Sequence, residues 1–259
     1  MPRRDGFAQL KREPKEFTRA FGLVVQTSRN NPGTIAPLKP PHRVCIDARM
    51  IQPRILTSED CMAEGCAWLA QSEPRFAGVL DLCGLPPLRR RSGGFDDLLG
   101  AIVSQQVSVA SARAIKGRLE TAGYSRPEPI LQATDEELRA CGLSRQKSRY
   151  IRALAEAGID FDALPGAAED DILASLTSVS GIGRWTAEIY LMFSLGRADV
   201  FAPNDLALQE AARLLFDLPD RPREAALRKM AEAWSPWRTV AAGLLWHYYH
   251  HAKSREGIA

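Results

Sequence analysis

One carboxylate and one glycine turn hold the chemistry that this sequence can do. Asp205 ends the run Val200-Phe-Ala-Pro-Asn-Asp205, and Ser178-Val-Ser-Gly-Ile-Gly-Arg-Trp-Thr-Ala187 lies about twenty residues before it. In Ser180-Gly-Ile-Gly183 two glycines bracket one apolar residue. Glycine accepts positive φ and leaves no Cβ between the backbone and a ligand. A helix that starts after Gly183 presents unpaired N–H groups and its positive dipole end, which together suit a phosphate. Ile182 is the residue to anchor such a turn in the core. The same residues also suit an ordinary turn between two helices. Asp205 has two readings as well. Pro203 prevents the incoming chain from continuing as helix, so Asn204 or Asp205 caps the next one. A carboxylate placed there is either a cap alone or an anion available for chemistry, since a helix N-terminus favours the ionised form.

The elements that must position these groups are helical almost throughout. Thr57-Ser-Glu-Asp60 predicts a helix start, and the helix runs through Trp68 and Ala70. Pro74 opens a second, short helix. Gly84-Leu-Pro-Pro87, Arg89-Arg-Arg91 and Gly93-Gly94 mark a connector. From Phe95 to Val107 the residues Phe95, Leu98, Leu99, Ile102 and Val103 share one helical face. Ser108 caps a helix to Leu119, and Thr134 with Glu137 forms a capping box for another that ends at Cys141-Gly142. Ser144 opens the next, with Tyr150, Ile151 and Leu154 inward. Helices over Glu169–Thr177 and Arg184–Leu195 flank the glycine turn, and others lie near 204–216, 222–234 and 236–251. Alternating β-branched runs are absent, so the chain reads as all-α.

Composition narrows the class further. The 259 residues are 45% apolar and 25% charged with a net charge of +3, ordinary for a globular protein and compatible with nucleic acid without demanding it. Cys45, Cys61, Cys66, Cys83 and Cys141 form no CxxC pair and no zinc pattern, which fits unpaired thiols in a reducing compartment. No apolar run reaches the roughly eighteen residues that span a bilayer, and Arg3 and Arg4 precede no apolar signal core. Residues 1–50 carry prolines and basic residues without a helical or alternating period, as in Leu38-Lys-Pro-Pro-His42. They read as a disordered tail, and Met50 is an alternative start.

Several further motifs stand in order along the chain: Ser104-Gln-Gln-Val-Ser-Val-Ala110, Gly142-Leu-Ser-Arg-Gln-Lys147, the glycine turn, the Asp205 segment and Trp234-Ser-Pro-Trp-Arg238. With them the stretch from about Phe95 to His250 resembles the helix-hairpin-helix (HhH-GPD) DNA glycosylases, specifically the AlkA-like 3-methyladenine glycosylase II group. The resemblance implies a two-lobed all-α fold with the active site in the cleft between lobes. Residues 95–197 would form one lobe with the hairpin. Residues 51–94 and 198–259 would form the other, the last segment carrying Asp205 as the catalytic residue. It implies a base pocket that includes Trp185, Trp246 and Ile189, the last standing where the family has a pocket tyrosine, with Tyr190 one step further round the helix. It implies DNA contacts from Gln105, Gln106, Gly181, Gly183, Arg184 and Thr186, with Gln106 as the wedge that fills the gap left by a flipped nucleotide. It also implies a monovalent cation, sodium or potassium, on the backbone carbonyls of Thr177, Val179 and Gly181. Ser180 replaces the proline usual in that turn. Trp234 and Trp237 are read as packing the C-terminal helices, and Asp199 as structural.

The implied activity is that of a monofunctional glycosylase on alkylated purines, mainly 3-methyladenine, with 7-methylguanine or hypoxanthine beside it. An alkylated purine already carries positive charge and leaves as a neutral base, so one anion near the sugar suffices. Strand-nicking relatives place a nucleophilic lysine where Trp185 stands. No cysteine follows Cys141, so the cysteines of an iron–sulfur branch are missing. No cofactor is required on this reading. The expected partner is double-stranded DNA with a flipped damaged base, met by a monomer in the cytoplasm of a bacterial cell. Two other readings stay open at this stage: the same chemistry on another damaged base, and a helix-hairpin-helix DNA-binding module without catalysis.

Overall fold

The computed structural model describes residues 53–255, and the expectations for the tail, for Cys45 and for a start at Met50 lie outside them. Twelve α-helices follow in order: α1 Glu59–Ser72, α2 Pro74–Cys83, α3 Gly94–Ser104, α4 Val109–Thr121, α5 Pro127–Gln132, α6 Asp135–Ala140, α7 Arg145–Glu156, α8 Glu169–Thr177, α9 Arg184–Phe193, α10 Leu206–Leu215, α11 Glu224–Ala231 and α12 Arg238–Arg255. Short 3-10 turns cover Leu164–Gly166 and Glu232–Trp234. Among the described residues there is no strand, and one isolated bridge joins Ile55 to Arg197.

Local sequence sets most of the boundaries. Ser58, Ser108 and Ser144 each accept a backbone N–H at the start of α1, α4 and α7. Thr134 and Glu137 close the reciprocal capping box of α6, satisfying two N–H groups that would otherwise lack partners. α3 stops earlier than its apolar face suggests. Gln105 is extended and Gln106 sits at φ +56, so the segment after Ser104 is a turn and not the helix expected up to Val107. A non-glycine residue in the left-handed region costs on the order of 1 kcal/mol and needs neighbours to hold it there. α5 has no counterpart in the sequence reading. Pro127 at its first position is a start signal, but Pro129 follows too closely for a periodic pattern to show.

The helices pack in two sets. α1, α2, α10, α11 and α12 lean mainly on one another, and α3 to α7 with α8 and α9 form the second set. α9 is buried at every position from Thr186 to Met192, so it is a core helix that fixes its own N-terminus firmly. The connector after it is tied to α12. Asp199 takes Nε and Nη2 of Arg238 at 2.8 and 2.9 Å and the Ser235 hydroxyl at 2.7 Å. The Thr239 hydroxyl donates to the Arg197 carbonyl at 2.6 Å. Trp234 and Trp237 are buried, Trp234 between Phe76, Phe201 and Phe216. These contacts carry Phe201, Ala202 and Pro203 into a buried turn that ends at Asp205.

Candidate active site

The glycine turn joins α8 to α9, and its two glycines do different jobs. Gly181 has φ +94, and a Cβ there would come within 2.4 Å of the Tyr150 ring. Gly181 is therefore required by the fold. Gly183 has φ −84 and ψ 168, and a Cβ there would meet nothing within 4 Å. It is the N-cap of α9 with no side-chain cap bond, so the first N–H groups of that helix stay open to a ligand. Ile182 is buried, and its N–H donates to the Val179 carbonyl at 3.0 Å.

The first of the two glutamines after α3 reaches this turn. Gln105 donates its side-chain N–H to the Gly181 carbonyl at 2.9 Å. Lys147, buried in the first turn of α7, donates to the Val103 carbonyl at 2.6 Å near the C-terminal end of α3. Its ammonium meets the negative end of that helix, while burial pulls its pKa down. Gln105 is thus engaged inside the protein, and Gln106 occupies the strained position beside it.

Asp205 caps α10 through its own side chain. Oδ1 accepts from the N–H groups of Ala207 and Leu208, both at 3.0 Å. Trp246 Nε1 donates to the same oxygen at 3.2 Å, and Trp185 Nε1 donates to Oδ2 at 3.2 Å. Both tryptophans singled out in the sequence therefore converge on the carboxylate. Their surroundings differ. Trp246 is 9% exposed, packs against Phe193 and borders a small cavity of about 20 Å³ with Pro86 and Gly243. Trp185 is 41% exposed and lines a separate open cleft.

That cleft has a volume of about 690 Å³. Trp185, Thr186 and Ile189 of α9 form one wall, and Gly100, Ala101 and Ser104 of α3 form the other, with Gln105 and Gln106 at its end. Thr186 and Ile189 are largely buried there. Tyr190 turns away. Its hydroxyl accepts the Gly94 N–H at 2.9 Å, and burial pushes its pKa up. Arg184 leaves its guanidinium half exposed and pairs with Glu188 at 3.0 Å, a carboxylate also reached by Arg228 at 2.9 Å.

Four charged residues line the cleft without having stood among the candidate site residues: Arg91, placed only in a connector, and Asp96, Asp97 and Lys116. Lys116 pairs with Asp96. Asp97 Oδ2 accepts the Gly93 N–H and the Ser194 hydroxyl, each at 2.8 Å. A signal was present, since Gly100, Ala101 and Ser104 are small residues on the face of α3 opposite its apolar stripe, and small side chains on a helix face leave room for a groove.

The three carbonyls considered for a cation can be tested on the same geometry. Val179 accepts one hydrogen bond and Gly181 accepts another. A carbonyl oxygen has two acceptor positions, so each keeps one. Val179 and Gly181 thus retain acceptor capacity of the kind that an oxygen-liking monovalent ion uses.

Comparison with known proteins agrees with this architecture. The model of the HhH-GPD superfamily base excision DNA repair proteins matches residues 99–236. The chain is 35% identical over 162 residues to DNA-3-methyladenine glycosylase 1 of Schizosaccharomyces pombe, covering 59% of this chain and 71% of that protein. The crystal structure of a DNA-3-methyladenine glycosidase from Bacillus halodurans superposes with a TM-score of 0.68 at 33% identity, covering 78% of this chain and 94% of that one. The 3-methyladenine DNA glycosylase of Schizosaccharomyces pombe in complex with abasic DNA gives a TM-score of 0.63 at 31% identity, covering 71% and 95%. The matched stretch takes in the glycine hairpin, Trp185 and the helix-capping Asp205 that Trp185 touches, and the chain belongs to the HhH-GPD superfamily of base excision DNA repair proteins.

Proposed function

We propose that this protein is a monofunctional DNA glycosylase that hydrolyses the N-glycosidic bond of alkylated purines, 3-methyladenine first among them. The observation that supports it most is the Asp205 carboxylate, held by two backbone and two indole N–H groups and linked by Trp185 to an open cleft. A nucleotide reaches such a cleft by leaving the duplex stack. An N-alkylated purine carries positive charge and departs as a neutral base, so no protonating acid is needed. Charge then develops on the sugar, and the fixed carboxylate stabilises it and orients the attacking water. The exposed Trp185 ring offers a stacking face for a cationic base. Trp185 also holds the position that a Schiff-base lysine takes in nicking relatives, which leaves the strand intact after base release.

The open N-terminus of α9 would take a backbone phosphate, helped by a monovalent cation on the carbonyls of Thr177, Val179 and Gly181. Gln106 would fill the vacated place in the stack. We place the protein on DNA in the cytoplasm, acting as a monomer. Among the described residues no helix is long and apolar enough to cross a membrane.

The test is an excision panel on duplexes with single defined lesions, with and without alkali. The expected result is release of 3-methyladenine and strand cleavage only after alkali, with Asp205→Asn still binding DNA but releasing nothing. Release confined to an oxidised base overturns the substrate. No release from any lesion overturns the enzyme.

A further inference from the structure

The two oxygens of Asp205 are held in different ways. Oδ1 has three donors: two backbone N–H groups of α10 and the indole of Trp246, which is buried against Phe193. Oδ2 has the indole N–H of Trp185 at 3.2 Å. A carboxylate turns easily about its last bond, because that torsion is broad and has no sharp staggered wells. Turning about that bond moves both oxygens together, so the three Oδ1 donors and the Trp185 N–H jointly set the plane of the carboxylate, and Trp185 is the donor that acts on Oδ2. The same indole forms part of the wall of the cleft. One side chain therefore touches both the space for a base and the oxygen nearest to being free.

We propose that Trp185 is a positioning residue that couples occupation of the cleft to catalysis, its ring placing the base and its N–H aiming Asp205 Oδ2. The inference rests on the glycosylase reading and adds a second, separable job to a residue otherwise read as a stacking surface. Loss of the N–H alone leaves the stacking face in place and removes the donor on Oδ2, which loosens the plane of the carboxylate while the Oδ1 donors still hold it. A small misplacement of a reacting group costs rate without costing affinity.

The decisive variant replaces Trp185 by 3-benzothienylalanine, which keeps the two-ring shape and exchanges N–H for sulfur. Single-turnover release of 3-methyladenine is expected to fall about 10-fold, with the dissociation constant for abasic duplex and the melting temperature unchanged. Trp185→Phe is expected to lose the same rate and some affinity as well. A benzothienylalanine variant at full rate overturns the coupling, and so does one that loses rate only together with affinity and melting temperature. The bond is also read in the free protein. The Trp185 indole N–H resonance, assigned by its loss in Trp185→Phe, should move in Asp205→Ala. An unmoved resonance overturns the coupling even if the wild-type protein is active, whereas a wild-type protein silent on every lesion overturns the activity.

Discussion

Two helix starts lie 22 residues apart, α9 at Arg184 and α10 at Leu206, and they treat the same physical problem in opposite ways. Each leaves backbone N–H groups and a positive dipole end without partners in the helix. α10 resolves this with its own Asp205, which accepts the N–H groups of Ala207 and Leu208. α9 has a glycine cap, no side-chain cap bond and no acid in its first turn. α6 and α8, which are remote in role, each open with three acidic residues. An internal anion makes a helix start self-sufficient. Its omission at α9 keeps the site open for an anion from outside. Asp205 goes further: the same anion that completes α10 is also bonded to Trp185 in the wall of the open cleft, where the proposed chemistry would use it.

The sharpest way to break the comparison is at Asp205. Asp205→Ala removes both anion and cap. Base release should fall by at least about 10³-fold, and stability by about 1 kcal/mol. Asp205→Asn keeps most of the cap and should lose the rate with little change in melting temperature. Equal destabilisation by the two substitutions would show that capping is not separable from chemistry.

The glycines give the next largest effect. Gly181→Ala forces a Cβ into Tyr150 at a positive φ, and denaturant unfolding should record a loss of roughly 2 kcal/mol or more. Gly183→Ala has no clash to make, so its unfolding midpoint should match the wild type while its affinity for DNA drops about 10-fold, roughly 1.4 kcal/mol. If Gly183→Ala proves the less stable of the two, the division of labour between them is wrong.

A third helix start supplies the smallest and cleanest test. In α1 the Cys61 thiol is lowered to about 7, first by the Ser58 hydroxyl and then by Thr57, while burial alone pushes Cys66 up to about 12. Among the described cysteines, alkylation by iodoacetamide should therefore reach Cys61 first, with a rate midpoint near pH 7. A thiol lowered in the folded state adds stability above its unfolded pKa, and that contribution fades as the pH falls through about 7. A Cys61 rate that keeps climbing well past that midpoint would remove this start from the pattern.

Local rules made much of the fold legible. The capping box at Thr134 and Glu137, the Pro74 start, the limits of α8 and the apolar face of α3 all arise from neighbours within a turn or two, which a sequence displays directly. Asp205 was legible as a cap for the same reason. What stayed hidden joins residues far apart in the chain. Gln105 meets Gly181, Lys147 meets Val103, and Trp246 meets Asp205 across 76, 44 and 41 residues, and none of these leaves a periodic trace. Trp185 and Trp246 stood out as aromatic surfaces, whereas the polar N–H of each ring is the part that the structure brings to Asp205. Arg91 read as part of a basic connector, and its place in the cleft wall follows only from the packing of α3 against α9.

The bond from Gln105 to the Gly181 carbonyl has a mechanical consequence. With Lys147 clamping the end of α3, the turn that carries Gln106 and the turn that carries Gly183 behave as the two jaws of one calliper, set at a fixed gap. On the proposed reading, a strand gripped at one jaw would meet the other at a constant offset along its length. Such an instrument would gauge its object by shape: a duplex that yields at that offset would close onto both jaws, and one that stays straight would touch only the first.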